Sequence, residues 1–307
     1  MKLRELGEDR LLARLLPSLP IRKGVLVGAG DDCAVVQPPG GKNLLLLKTD
    51  CIVEKIHFSS SADPVAIGWK AMMRPLSDFA AVSGLPQFAL ITLIVPAARS
   101  TRWVEKLYRG LNRAAARFDV SIVGGETSNT RGPAAISVSV SGFVEKTRWI
   151  SRRGGKAGDD LFVTGRLGGS LRAKHLRFVP RIAESRWLTT NFPVHAMMDL
   201  SDGLGADLPR LARASKVGFK IDMTRLPLTP GAKIDNAISD GEDYELLFAI
   251  SARERHRLER SWRKRFPKLP LTRIGRLNPK SNIARWLRSL HIVPLKQKSS
   301  VATSLKT

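Results

Sequence analysis

Two cysteines, Cys33 and Cys51, stand in a chain of 307 residues. That is too few for a disulfide scaffold or a cysteine metal site. Long apolar runs are missing as well. None reaches the ~18 residues a membrane helix needs, and the longest, residues 88–98, is interrupted by Pro96. The start, MKLRELGEDRLLARLLPSLP, carries early acids and no uninterrupted apolar stretch of signal-peptide type. A secreted knot, a zinc finger and a membrane protein are excluded, and a reduced cytoplasm is the expected home. Acids are also scarce: 27 against 51 Lys and Arg, a net charge of +24.

What is present is the balance of a folded globular protein, with 43% apolar and 25% charged residues. The length exceeds what one core usually serves, so two domains are expected. The basic excess is steepest in residues 251–307, which hold 16 bases and two acids. There, Leu258, Trp262 and Phe266 recur every four residues. That stripe describes a helix with one buried face and Arg and Lys on the solvated one. A nucleic-acid surface is the alternative use of such charge, and the less favoured one.

Short apolar runs alternate with helical patterns. LLLLKTD (44–50) reads as a buried strand ending at Thr49 and Asp50. ADPVAIGWKAMM reads as a helix start with Asp63 as N-cap and Pro64 in the first helical position. FALITLIVP is a second strand, TRWVEKLYRGLNRAAARF an amphipathic helix, and SIVGGE a third strand with a glycine exit. In AAISVSVSGFV, Ile136, Val138 and Val140 alternate with serines, the period of a half-buried antiparallel strand. The glycine-rich TRWISRRGGKAGDD contains the expected boundary. This gives an N-terminal unit over 1–146, a C-terminal unit over 147–294 and a flexible tail over 295–307. Strands mixed with helices in both halves argue α/β or α+β for each.

In so basic a chain the placement of acids is informative. Asp31 and Asp32 (GAGDDCAVV), Asp50 (KTD), Asp78 (PLSDFAA), Glu126 (IVGGETS), and Asp199 and Asp202 (MMDLSDG) follow apolar runs, many beside glycine. Several carboxylates converging on one cleft repel one another unless cations sit between them. Mg²⁺ with its oxygen ligands is the natural solution, and it normally brings phosphates. Taken singly, each acid has a plainer use: Asp202 as helix N-cap, Asp78 as an exposed helical acid, Arg152 as a surface loop residue, His57 as a packed or capping histidine. No GxxxxGK[ST] loop, GxGxxG fingerprint or kinase-type HRD and DFG set is present.

Together, GDDCA (30–34), KTDCIVEKIHF (48–58), DPVAIGWKAMMRPLSDFAAVSGLP (63–86), VGGET (123–127), SRRGGKAGDDLFVTG (151–165), MMDLSDGLGADLPRLARAS (197–215) and SDGEDYELLF (239–248) resemble thiamine-monophosphate kinase. That family sits in the superfamily of aminoimidazole ribonucleotide synthetase and selenophosphate synthetase. The resemblance implies an N-terminal ATP- and Mg²⁺-binding α/β domain whose antiparallel sheet forms a homodimer, and a C-terminal α/β domain. It implies phosphoryl transfer from ATP to thiamine monophosphate, directly and in line. Carried over, Asp32, Thr49, Asp50, Asp78, Glu126, Asp199 and Asp202 fall on metal positions. Gly125, Glu126, Arg152 and Ser201 fall on nucleotide positions, and His57 and Glu242 on substrate positions. Asp50, Asp78, Arg152 and Asp199 would carry the chemistry.

The chain also departs from that pattern. Glu126 stands where Asp is usual, Lys48 where a small hydroxyl residue is usual, and Asp240 where the first glycine of GGEDYE is usual. Lys55–Ile56 replaces a glycine-containing pair. Pro75 replaces Asn and should kink its helix by removing an interior bond. A stretch between GRLGGS and FVPRI is shortened, and the aromatic C-terminal ending has no counterpart. Another ATP-using reaction of the superfamily, or a degenerate nucleotide-binding paralogue, is therefore the alternative activity.

Overall fold

The computed structural model describes residues 3–172 and 174–279, so the expected tail and residues 280–294 of the second unit lie outside the described residues. In chain order the elements are α1 (Leu3–Leu6), α2 (Glu8–Leu15), β1 (Val25–Val27), β2 (Ala34–Val36), β3 (Asn43–Val53), α3 (Pro64–Ala81), β4 (Leu85–Val95), α4 (Thr101–Arg117), β5 (Ser121–Asn129), β6 (Ala135–Glu145), β7 (Asp159–Thr164), α5 (Ile182–Asn191), β8 (Val194–Asp199), α6 (Leu204–Ala214), β9 (Gly218–Ile221), α7 (Ile234–Ser239), β10 (Leu246–Ser251), α8 (Arg255–Arg265) and β11 (Leu271–Asn278). No helix among the described residues is long and apolar enough to cross a membrane.

The strands form two sheets, giving a mixed α/β architecture. The first has the order β1-β2-β3-β6-β4-β5 and is antiparallel except for the parallel β4–β5 pair at its edge. The second has the order β8-β10-β7-β11-β9 and is antiparallel throughout. In β6 the alternation seen in the sequence becomes two faces: Ile136, Val138 and Val140 are buried and Ser139 is exposed. The strands outrun their sequence signals. β3 continues past Asp50 to Val53, and Gly124 and Gly125 lie within β5 rather than ending it. Backbone pairing along a sheet does not stop where side-chain patterning does.

Helix α3 ties the molecule together. Asp63 caps it, its carboxylate accepting from the Val65 amide at 3.3 Å, and Pro64 occupies the first turn where no amide bond is lost. The helix runs unbroken through Pro75, which is buried within it. Against α4 it makes a close crossing that only glycine allows. A Cβ on Gly68 would fall 2.0 Å from the Leu107 carbonyl oxygen, and one on Gly110 would fall 2.0 Å from that of Val65. Its other faces pack on β3 and β6 of the first sheet and on β8 of the second. One continuous core therefore joins Met72, Leu76 and Phe79 to Phe248 and Trp262, 2% exposed or less.

The second sheet is covered on both faces, so β7 and β10 are buried almost throughout, Asp159, Asp160 and Thr164 of β7 included. Leu161, Val163 and Leu247 meet Leu204, Leu208 and Leu211 of α6 in a separate core. On the opposite face Phe162 stacks on Phe248 at 5.6 Å. The basic helix α8 buries Leu258 and Trp262 as its stripe predicts, and its charged face is solvated. In contrast, one face of the first sheet is uncovered, exposing Leu47, Phe88 and Leu90.

Candidate functional site

The acids converge where the two sheets meet. Asp32 leads into β2, Asp78 sits one turn from the end of α3, and Asp199 ends β8. All three are buried, and each offers a carboxylate oxygen within 4.8 Å of those of the others. Asp32 Oδ2 has no hydrogen-bond partner, and neither does Asp31 Oδ2 beside it. Burial pushes Asp32 up to about 7, with Arg152 opposing the rise and Asp199 and Asp31 adding to it. Asp78 and Asp199 are likewise raised by burial. Ser77 restrains Asp199, its hydroxyl donating to Asp199 Oδ2 at 2.6 Å.

Such a group is stable only beside positive charge. Arg152, with a side chain largely out of solvent, pairs with Asp32 through Nη2, and its Nε lies 3.4 Å from Asp31 Oδ1. Lys48 Nζ is 2.9 Å from Asp78 Oδ1. Burial alone would lower the Lys48 ammonium, but Asp78 and Asp50 outweigh it and raise it. Arg74 Nη2 stands 3.7 Å from Asp50 Oδ1, and its Nη1 donates to the Cys51 carbonyl at 3.2 Å. Buried oxygens lacking donors and crowded within ligand reach fit a hard divalent cation such as Mg²⁺.

At Ser201 and Asp202, which follow Asp199 in the chain, opens a cavity of about 570 Å³, the size of a small-molecule site; none of the three carboxylates lines it. Ile56, Phe58 and Leu171 give it apolar walls, while His57, Ser201 and Glu242 give it polar ones. Glu242 is held by a buried lysine: Lys70 Nζ donates to its two oxygens at 2.7 and 2.6 Å, and also to the His57 carbonyl at 2.7 Å. His175 Nδ1 lies 2.8 Å from Glu242 Oε2. Burial would raise Glu242, but His175 and Lys70 hold it at about 2. Burial lowers Lys70 to about 8. Burial and the Arg74 charge lower His57 to about 4, so at neutral pH it is uncharged, with Nδ1 accepting from the Val53 amide at 3.0 Å.

Not every sequence candidate joins this group. Thr49 faces the other side of β3, its hydroxyl bonded to Ser139 at 3.0 Å, because neighbours in a strand point oppositely. Gly125 and Glu126 lie on the edge strand β5, three strand spacings or about 14 Å from β3 across the sheet. Glu126 is exposed there, paired in register with Thr92. A Cβ on Gly125 would fall 1.9 Å from the Ile91 carbonyl oxygen, so that glycine permits β5 to lie against β4. Asp202 stands apart from the three carboxylates, at the rim of the cavity and paired with Arg210, while the helix cap expected of it is Gly203. Asp78, which could have been an exposed helical acid, is buried, and Arg152 is no surface residue.

Several contributors were assigned no role from the sequence: Lys70, Arg74, Ser77 and Asp31, although they lie in the quoted motifs, and His175, which lies in none. A signal existed for the first three. Residues 70, 74, 77 and 78 share one face of a helix, and charges on that face of an otherwise apolar helix require partners. His175 gave none, since it lies in the shortened stretch, which folds as two single-turn 3₁₀ helices, Ser170–Arg172 and Lys174–Leu176.

Comparison with known proteins bears on this arrangement. Residues 30–144 match the family described as AIR synthase related protein, N-terminal domain, and residues 138–257 match its C-terminal domain. Thiamine-monophosphate kinase of Rhodopirellula baltica is 36% identical over 282 residues, covering 86% of each chain. That of Aquifex aeolicus is 35% identical, covering 90% of this chain and 93% of its own. A solved structure of AaThiL complexed with AMPPCP and TMP superposes with a TM-score of 0.79 at 34% identity, covering 92% of this chain and 94% of that one.

Proposed function

The chain belongs to the thiamine-monophosphate kinase family of AIR-synthase-related phosphotransferases, and from that membership we propose that it transfers the γ-phosphoryl group of ATP to thiamine monophosphate, giving thiamine diphosphate and ADP. The observation that carries the reading is the meeting of Asp32, Asp78 and Asp199 within ligand reach, in a chain whose cavity presents Ser201, His57 and Glu242. The AaThiL complex with AMPPCP and TMP supports ATP and thiamine monophosphate as the two substrates.

In this reading Asp32, Asp78 and Asp199 hold Mg²⁺, which when bound neutralises and aligns the phosphates. Asp50 lies on the same face of β3 as Lys48 and steers it through charge. Arg152 stabilises negative charge on the transferring group, its guanidinium already fixed by Asp31 and Asp32. Ser201 contacts the nucleotide, and His57 and Glu242 line the acceptor pocket. The acceptor phosphate has a second pKa of about 6 and is anionic near neutrality, so in-line attack needs no general base. That matches a site rich in carboxylates and cations, where His57 is uncharged and already engaged with the backbone. Glu126, Gly125, Thr49 and Asp202 are reached, in this proposal, only outside the triad.

We also propose the division into units at residues 1–146 and 147–294, with the junction serving as the site. A homodimer through the uncovered face of the first sheet is supported by the exposed Leu47, Phe88 and Leu90. Incubation with ATP, Mg²⁺ and thiamine monophosphate, read by chromatography of the thiamine species, tests the function. Thiamine diphosphate should form, and Asp78→Asn should reduce it at least ~10²-fold, as removal of a charge-stabilising group does. ATP hydrolysis unaffected by thiamine monophosphate, with no diphosphate formed, would refute it.

A further inference from the structure

Five carboxyl groups and three fixed cations share the junction. Asp31 and Asp32 are paired by Arg152, Asp50 faces Arg74, and Asp78 is bonded by Lys48, while Asp199 accepts only from the neutral Ser77 among the contacts given above. With all of them ionised, two negative charges remain uncompensated. That is the charge of one divalent cation.

Lys48 is the residue that makes the difference. Strand alternation sends Lys48 and Asp50 toward α3, on the face that also buries Leu46 and Ile52. The ammonium reaches Asp78 Oδ1 at 2.9 Å. A metal ion bound to that oxygen at about 2.1 Å would compete with Lys48 for the same lone pairs and repel its charge. The second oxygen of Asp78 remains, together with Asp199 and the unpartnered, buried Oδ2 of Asp32. These are enough first ligands for one ion, which completes its octahedron with water and phosphate oxygens. We infer that Lys48 takes the place of one divalent cation in this carboxylate cluster, so that the protein alone binds a single ion there. The inference rests on the reading that the cluster holds divalent ions at all.

The experiment counts ions and does not depend on turnover. Mn²⁺ alone is titrated into the full chain, and bound ion is measured from the loss of the free-ion electron paramagnetic resonance signal. Wild type, Lys48→Thr and Lys48→Arg are compared, with folding checked by circular dichroism. Wild type and Lys48→Arg should each bind one Mn²⁺ that is lost on Asp199→Asn, and Lys48→Thr should bind two. Equal counts for wild type and Lys48→Thr would overturn the role of Lys48 and leave the metal reading intact. No Asp199-dependent Mn²⁺ in any folded protein would overturn both. Should Lys48→Thr not fold, Lys48→Met, which keeps the apolar stem without the charge, takes its place: two Asp199-dependent ions uphold the inference, and one contradicts it.

Discussion

Glu242 shows how a single side chain in this molecule serves two ends. Its carboxylate lines the cavity and also neutralises Lys70, a lysine with no solvent exposure on α3. The folded protein lowers Glu242 from 4.5 to about 2. Because the folded value lies below the unfolded one, the charged form stabilises the fold. That contribution is complete above about pH 4.5 and is lost as pH falls toward about 2. Glu242→Gln should therefore cost about 3 kcal/mol at pH 7, and urea denaturation should find the gap closing by about pH 2. A pH-independent difference would mean that the carboxylate stabilises by packing rather than charge. Legibility at this level was uneven. Asp32, Asp78 and Asp199 stood out as acids after apolar runs in a basic chain. Lys70 did not, because a lone lysine inside a helical pattern reads as surface until its partner, 172 residues away, is known.

Helix α3 has to satisfy a sheet on one side, another helix on a second and a cluster of charges on a third. The crossing at Gly68 and Gly110 leaves no room for a methyl group, since the added Cβ would meet backbone rather than a movable side chain. Gly68→Ala should lower stability by about 3 kcal/mol through overpacking, visible as a reduced denaturant midpoint. A loss below about 0.5 kcal/mol, the range of neutral surface changes, would show that the helices separate easily. The elements themselves were largely readable. The cap at Asp63, the two-residue period of β6 and the stripe of α8 each appear where sequence chemistry puts them. Element ends were less so, since β3 continues through Asp50 and β5 through both glycines. Thr49 and Asp50 consequently face opposite sides of one strand, a separation that a motif written as adjacent letters conceals. Lys55 shows the reverse case. It stands in place of a glycine-containing pair and adopts the left-handed backbone, φ 69°, that glycine would take more easily.

Taken whole, the molecule brings one sheet that is covered on both faces against another that is covered on one. The exposed Leu47, Phe88 and Leu90 lie on strands β3 and β4, with serines and threonine of β3 and β6 around them. If that face closes a homodimer, sedimentation should find twice the chain mass of 33.8 kDa, and Leu90→Asp should shift the protein to monomer. An unaltered dimer in that variant would place the interface elsewhere. Two-domain composition and mixed α/β class followed from length and alternation. The site did not follow from either, because its residues come from the loop before β2, from β3, α3 and β8, and from the connection before β7, and only folding brings these together. The decisive measurement is anomalous diffraction from crystals soaked in Mn²⁺. A peak within bonding distance of Asp32, Asp78 and Asp199 is the expected result. A well-ordered junction with the metal at saturating concentration and no peak among those three carboxylates would contradict it.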